Sequence, residues 1–213
     1  MLLHISVDFP ETELKILHTL EPFSIKITPP GILLYKLVEE VAQFKPVHIC
    51  ETGCLRDPSP TGMMTDGWSS FYFSKFAHEH QGSKLTTIEL DGTNLAYCQL
   101  FLSRFGYVNR NQFIQGDSVK VISELTEHPD VFYLDSCNGL DHGLAEFQAA
   151  LGHKPKLIIM DDFSSKAASA AEYANQQSIP FQQMGRFSVF YTSLESQKIF
   201  NAPQLSRLAT TSM

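Results

Sequence analysis

From residue 46 onward, short apolar runs alternate with longer stretches in which apolar residues recur at helical spacing. Strand-like runs cover residues 46–53, 85–90, 111–116, 131–135 and 156–161. The helix-like runs between and after them cover residues 67–80, 92–106, 118–127, 141–151 and 164–177. Strands that alternate with helices of this length are typical of βαβ units and a parallel sheet. Because such crossovers are right-handed, we expect helices on both faces of the sheet.

The pattern changes after residue 179, where two strand-like segments follow each other directly. Residues 180–185 and 187–192 are separated only by the short connection at Gly185-Arg186. Strands joined this tightly must run antiparallel. The sequence therefore predicts an α/β fold with a doubly wound seven-stranded sheet, mostly parallel and closed by an antiparallel C-terminal hairpin.

Three segments are predicted along the chain. Residues 1–45 form an N-terminal helical cap, in which apolar positions between 33 and 44 share one helical face. This cap either packs on the sheet or serves as a lid or dimer arm. Residues 46–193 form the main domain, and residues 194–213 form a polar, loosely held tail.

Composition narrows the classes of partner. The 213 residues carry a net charge of -7 without a basic patch, which argues against nucleic acid. No apolar run reaches membrane-spanning length, and the first residues lack the features of a secretory signal. We therefore expect a cytoplasmic protein with no membrane partner, whose four cysteines are reduced. Homo-oligomer formation stays open.

Polar residues follow the first four strands of the main domain. They occur in the segments Glu51-Thr-Gly53, Ile88-Glu-Leu-Asp91, Gln115-Gly-Asp-Ser118 and Phe132-Tyr-Leu-Asp135. In open α/β sheets, small molecules bind at this carboxyl edge. A glycine there allows a ligand to approach the backbone, and an acid suits a ribose diol. Each acid alone could equally be the N-cap of the helix that follows.

In this order, the motifs resemble those of class I S-adenosylmethionine-dependent methyltransferases over residues 46–193. The resemblance implies a Rossmann-like fold with S-adenosylmethionine as cofactor. Glu51 and Gly53 would hold its methionine part, and Glu89 its ribose hydroxyls. Asp117 and Ser118 would read the adenine, and Asp135 completes the cofactor site.

The first motif departs from the usual acid-x-Gly-x-Gly-x-Gly pattern. Gly53 is followed by an insertion, residues 54–66, before Gly67-Trp-Ser-Ser begins the first helix of the domain. We interpret Gly67 and Ser69 as the displaced end of the motif, facing the cofactor's carboxylate. The insertion is either a loop that covers the substrate or a surface excursion.

Three acids predict a second site. Asp135 ends the fourth strand, and Asp161 and Asp162 end the fifth, so that three carboxylates would lie close together. Like charges at this distance need a cation, and oxygen ligands suit Mg²⁺ or another divalent ion. The arrangement resembles metal-dependent O-methyltransferases of the catechol type. Cephalosporin-hydroxylase-like relatives carry two acids at the last position, as this chain does.

The general base is less clear. The catechol-type enzymes have a lysine three residues after the first acid, where this chain has Asn138. His142 is the nearest substitute, and we predict Asp135 and His142 as the catalytic residues. The alternative for His142 is a solvated residue at the start of a helix.

These features together predict a methyltransferase that uses S-adenosylmethionine. We expect metal-assisted O-methylation of a small molecule that carries a hydroxyl group. The alternative is a hydroxylase-like or non-catalytic S-adenosylmethionine-binding protein of the same fold.

Overall fold

The computed structural model describes residues 30–43, 45–65 and 68–200. The predicted cap before residue 30, Gly67 and the tail beyond residue 200 lie outside this part of the chain. Over the described residues, strands and helices alternate as predicted. The strands are β1 (His48–Thr52), β2 (Lys84–Glu89), β3 (Asn111–Gln115), β4 (Val131–Leu134), β5 (Leu157–Met160), β6 (Phe181–Met184) and β7 (Phe187–Tyr191).

The helices of the described residues flank this sheet, and the longer ones span 11 to 13 residues. None of them is long and apolar enough to cross a membrane. They are α1 (Pro30–Ala42), α2 (Pro60–Thr65), α3 (Ser69–Glu79), α4 (Gly92–Ser103), α5 (Ser118–Glu124), α6 (Leu140–Gly152), α7 (Lys166–Gln176) and α8 (Leu194–Phe200).

The strands form one sheet in the order β3-β2-β1-β4-β5-β7-β6. Strands β1 to β5 pair in parallel, whereas β7 is antiparallel to both β5 and β6. This confirms the predicted mostly parallel sheet with its antiparallel hairpin. The strand order reverses between β1 and β4, so the crevice at their carboxyl ends is the expected ligand position.

Both faces of the sheet are buried, as right-handed crossovers require. Ile49 packs in an apolar cluster with residues of α1 and α3, while its neighbour Cys50 packs in a second cluster with α6 and α7. Side chains alternate between the faces along a strand, so continuous burial of β1 needs helices on both sides. The described part of the predicted cap, helix α1, packs on one of these faces.

The predicted tail differs in its first residues. Leu194–Phe200 form helix α8 instead of a loosely held segment. Ser193 and Ser196 bond to each other reciprocally at its start, where each side-chain hydroxyl accepts from the other residue's backbone N–H at 3.1 Å. This is the capping function that serine favours, and sequence polarity alone concealed it.

Helices α6 and α7 approach closely at Gly143. A Cβ atom there would lie 2.6 Å from the carbonyl oxygen of Lys166. We expect Gly143→Ala to lower the free energy of unfolding by about 1–3 kcal/mol, because backbone must shift to admit the methyl group. Gly152→Ala, in the same helix with no atom within 4 Å, is the control and should change it by less than about 1 kcal/mol. Denaturant titrations measure both values, and equal stabilities of the two variants would contradict this packing.

Candidate functional site

The carboxyl ends of β1 and β4 meet at Gly53. This residue has φ +77°, and its N–H donates to the carbonyl of Ile88 at 2.9 Å. A Cβ atom at this position would lie 2.4 Å from the carbonyl oxygen of Asp135. Only glycine therefore allows this turn, and the close approach of two strand ends forms the floor of a crevice.

A pocket of about 330 Å³, including its open mouth, lies at this crevice. It is bounded by the turn after β1, the start of α3 and the end of β4. The cationic side chain of Arg56 is exposed at its edge. Its lining consists of Gly53, Cys54, Leu55, Arg56, Asp57, Trp68, Ser69 and Asp135. Three of the predicted cofactor residues, Gly53, Ser69 and Asp135, are thus brought together.

Glu51 lies two residues before Gly53, which lines this pocket, and is fully buried. Its Oε1 accepts a hydrogen bond from the hydroxyl of Thr87 at 2.8 Å, whereas Oε2 has no hydrogen-bond partner among the described residues. Burial raises the pKa of Glu51 to about 7, although the nearby hydroxyls of Ser70, Thr87 and Ser69 lower it. A buried carboxylate with an unmet hydrogen-bonding position next to a pocket is suited to a cationic ligand.

The insertion is packed against the pocket. Its residues Leu55 and Met63 are buried, and the indole N–H of Trp68 donates to the carbonyl of Asp57 at 2.8 Å. Trp68 has φ 50° and directly precedes α3, whose first residue, Ser69, is nearly buried. The described part of the insertion is therefore a wall of the pocket, which agrees with the covering role more than with a surface excursion.

Two of the other predicted cofactor acids have local hydrogen bonds. Glu89, partly exposed at the end of β2, accepts from the backbone N–H of Asp91 at 2.9 Å. Asp117 is exposed and accepts from the N–H of Lys120 at 2.9 Å, so that it is the N-cap of α5. Capping is thus established for Asp117, while the ribose and adenine roles stay predictions.

His142 lies against the predicted adenine position. Its Nε2 is 3.0 Å from the hydroxyl of Ser118 and 3.6 Å from Oε1 of Glu146. Glu146 is fully buried, and the described residues offer neither of its oxygens a hydrogen bond. These contacts place His142 beside Ser118, and its assignment as a general base stays a prediction.

Asp135 stands between the pocket and the buried interior. Its Oδ1 accepts from the ammonium group of Lys166, and its Oδ2 accepts from the hydroxyl of Tyr133 at 3.3 Å. Its backbone N–H bonds to the carbonyl of Thr52 at 3.0 Å, which fixes it next to β1. Burial raises the pKa of Asp135 above its usual range, while the charge of Lys166 opposes this effect.

The carboxylate of Asp161 is paired with a cationic side chain from the β6–β7 hairpin. It is fully buried, and both of its carboxylate oxygens accept hydrogen bonds from the guanidinium of Arg186. The same guanidinium lies 3.5 Å from Oδ1 of Asp162 and donates to the carbonyl of Thr65. Tyr133 also donates to Asp161 at 3.2 Å and so connects Asp161 with Asp135.

At the predicted metal site of Asp135, Asp161 and Asp162, the structure places two cationic side chains. Lys166 and Arg186 already provide the positive charge for which a divalent ion was expected. Within the described ranges, no group of three or more His, Cys, Asp or Glu side chains is arranged to hold a metal ion. The chemistry of this donor set therefore does not fit Mg²⁺.

Sequence reasoning missed Lys166 and Arg186. A signal was present, because three neighbouring carboxylates require cations and the hairpin turn carries an arginine. The antiparallel pairing of Met160 with Ser188 brings Arg186 back to the end of β5. The need to balance the charge of these carboxylates would have been a reason to predict Lys166 and Arg186 as their partners.

No protein-family model matches the sequence, and no curated protein matches it either. Solved structures do resemble the fold. A methyltransferase from Geobacter sulfurreducens is 17% identical with a TM-score of 0.55, covering 87% of this chain and 89% of its own. An O-methyltransferase from Bacillus cereus, in complex with SAH, is 16% identical with a TM-score of 0.60 and covers 88% and 93%.

The O-methyltransferase TomG from Streptomyces achromogenes, involved in tomaymycin synthesis and in complex with SAM, is also similar. It is 15% identical with a TM-score of 0.62, covering 89% of this chain and 92% of its own. The chain has the class I methyltransferase fold. Identities this low establish the shared fold, and the chemistry must be argued from the residues of this site.

The raised pKa of Glu51 predicts how stability depends on pH. The ordinary glutamate value of 4.5 becomes about 7 in the folded protein, so the folded state binds a proton more tightly than the unfolded state. The free energy of unfolding should therefore fall between about pH 4.5 and pH 7 and then level off. Relative to Glu51→Gln, this fall should be about 3 kcal/mol.

Urea titrations across this pH range measure the difference. Thr87→Val removes a hydroxyl that stabilises the ionised form of Glu51. It should therefore enlarge the decrease in the free energy of unfolding between about pH 4.5 and pH 7. If the free energy of unfolding depends on pH in the same way for the wild type and Glu51→Gln, ionisation of Glu51 does not destabilise the folded protein.

Proposed function

We propose that the protein is an S-adenosylmethionine-dependent methyltransferase that methylates a hydroxyl group of a small molecule. The observation that carries the proposal is the pocket at Gly53, together with the buried Glu51 at the end of the same strand, which has no cationic partner among its described contacts. S-adenosylmethionine has a positive sulfonium and a positive ammonium group. Arg56 at the pocket edge suits its carboxylate, and Glu89 suits its ribose hydroxyls.

Oxygen as the acceptor atom is supported by the acid at the pocket. When bound, S-adenosylmethionine supplies an electrophilic methyl group on sulfur. The carboxylate of Asp135 lines the pocket and is suited to take the proton from an acceptor hydroxyl. Its raised pKa makes it a stronger base than an ordinary aspartate. Tyr133 and Lys166 fix the orientation of this carboxylate.

Two structural neighbours named as O-methyltransferases fit this proposal. The alternative is a hydroxylase-like or non-catalytic protein that binds the same cofactor. The accessible carboxylate of Asp135 next to the pocket favours catalysis over this alternative. Metal assistance is not part of the proposal, because the acids at this edge are already paired with cations.

Cofactor binding is the first test. S-adenosylhomocysteine should raise the melting temperature of the wild type, since a ligand that binds only the folded state stabilises it. Glu89→Ala should weaken its affinity about 10- to 100-fold, because hydrogen bonds from a carboxylate to the ribose are lost. Glu124→Ala, an exposed glutamate at the end of α5, is the matched control and should bind normally. If isothermal titration detects no binding by the wild type, the proposed function is wrong.

Proton transfer is the second test. Labelled S-adenosylmethionine and a panel of phenols and other small hydroxyl compounds would show whether methyl groups are transferred. Asp135→Asn keeps the shape of the side chain but removes its basicity, so transfer should fall by about 10² to 10⁴. S-adenosylhomocysteine should still bind this variant. Transfer at the wild-type rate would refute the role of Asp135, and a wild type that binds cofactor but transfers no methyl group would favour the non-catalytic alternative.

A further inference from the structure

The acids at the ends of β4 and β5 differ from Glu51 in one respect, because cationic side chains lie against them. Asp135 is paired with Lys166, and Asp161 is paired with Arg186. The hydroxyl of Tyr133 lies within hydrogen-bond distance of both acids, which share its single proton, and so links the two ion pairs. Three carboxylates, with Asp162 included, thus face two cationic side chains.

From this arrangement, we infer that Lys166 and Arg186 permanently replace a divalent metal ion at the ends of β4 and β5. We call this part of the site the acceptor side, because the methyl acceptor would lie there. The inference deepens the proposed function and rests on it only for the identity of the reaction. The protein itself would supply the positive charge that keeps Asp135 and Asp161 together. Asp135, which lines the pocket, would then position an acceptor without a metal ion between the acids.

A metal ion could not simply be added to these residues. Mg²⁺ requires carboxylate or water oxygens at about 2.0–2.1 Å in octahedral geometry. Both oxygens of Asp161 already accept from Arg186, and one oxygen of Asp135 accepts from Lys166. An ion placed between the acids would therefore meet two cations at short range, and this repulsion is strong in a buried environment.

Neither cation can leave easily. Lys166 is 1% exposed, and its backbone packs against Gly143 of α6. Arg186 is fixed on both sides, because it also donates to the carbonyl of Thr65 in the insertion. Displacement of Lys166 would leave Asp135 unpaired, and an unpaired buried charge is strongly unfavourable.

Direct titration with Mn²⁺, which prefers the same oxygen ligands, tests the inference. The full-length protein would be mixed with Mn²⁺, and the free ion measured by electron paramagnetic resonance. We expect the wild type to bind no Mn²⁺ with a dissociation constant below about 1 mM, with or without S-adenosylhomocysteine. Lys166→Asn removes one cation and adds an oxygen ligand, so it should bind at least about ten times more tightly.

Two further variants keep the result decisive. Lys154→Asn makes the same change at an exposed lysine and should behave as the wild type. Arg186→Gln frees Asp161 and should also gain affinity for Mn²⁺, which provides a second reading if Lys166→Asn does not fold by circular dichroism.

Stoichiometric Mn²⁺ binding by the wild type would overturn the inference. So would folded Lys166→Asn and Arg186→Gln proteins that both bind no better than the wild type. Binding of S-adenosylhomocysteine, measured on the same samples, reports separately on the proposed function.

Discussion

The ion pair between Asp161 and Arg186 holds together the elements that form the acceptor side of the site. Asp161 directly follows β5, and Arg186 lies at the turn between β6 and β7. The guanidinium of Arg186 also donates to the carbonyl of Thr65 at the end of α2. Three segments distant in sequence therefore depend on one side chain. Breaking a buried pair of this kind typically costs about 3–5 kcal/mol, because the remaining charge stays buried.

The cofactor side depends on packing instead of charge. Gly53 allows β1 to turn within van der Waals range of the backbone of Asp135, and any side chain there would separate the two strands. Trp68 then fastens the insertion by its bond to Asp57, and its ring packs edge-on against Phe71 and Phe101. The pocket thus has a rigid floor and a wall that the interrupted glycine motif does not suggest.

The sequence predicted the fold well because apolar periodicity and the short Gly185-Arg186 connection report directly on local structure. It also placed the polar residues at the carboxyl edge, since parallel strands end there together. What it could not provide was register and side-chain pairing. Whether Arg186 meets Asp161 depends on how β7 pairs with β5, and whether Lys166 reaches Asp135 depends on where α7 begins. The metal prediction counted the acids without these cations and so overstated the unbalanced charge.

Two fully buried carboxylates at the same edge of the sheet show how the two sides differ. Asp161 has a guanidinium on both oxygens, whereas Glu51 is bonded by neutral hydroxyls alone among the described residues and has a pKa of about 7. A cationic ligand near Glu51 would favour its ionised form and so be bound more tightly, but a cation near Asp161 would gain nothing. The unmet negative charge therefore lies on the side where an organic cation such as S-adenosylmethionine is proposed to bind. The carboxylates paired with cations lie where a neutral hydroxyl would accept the methyl group.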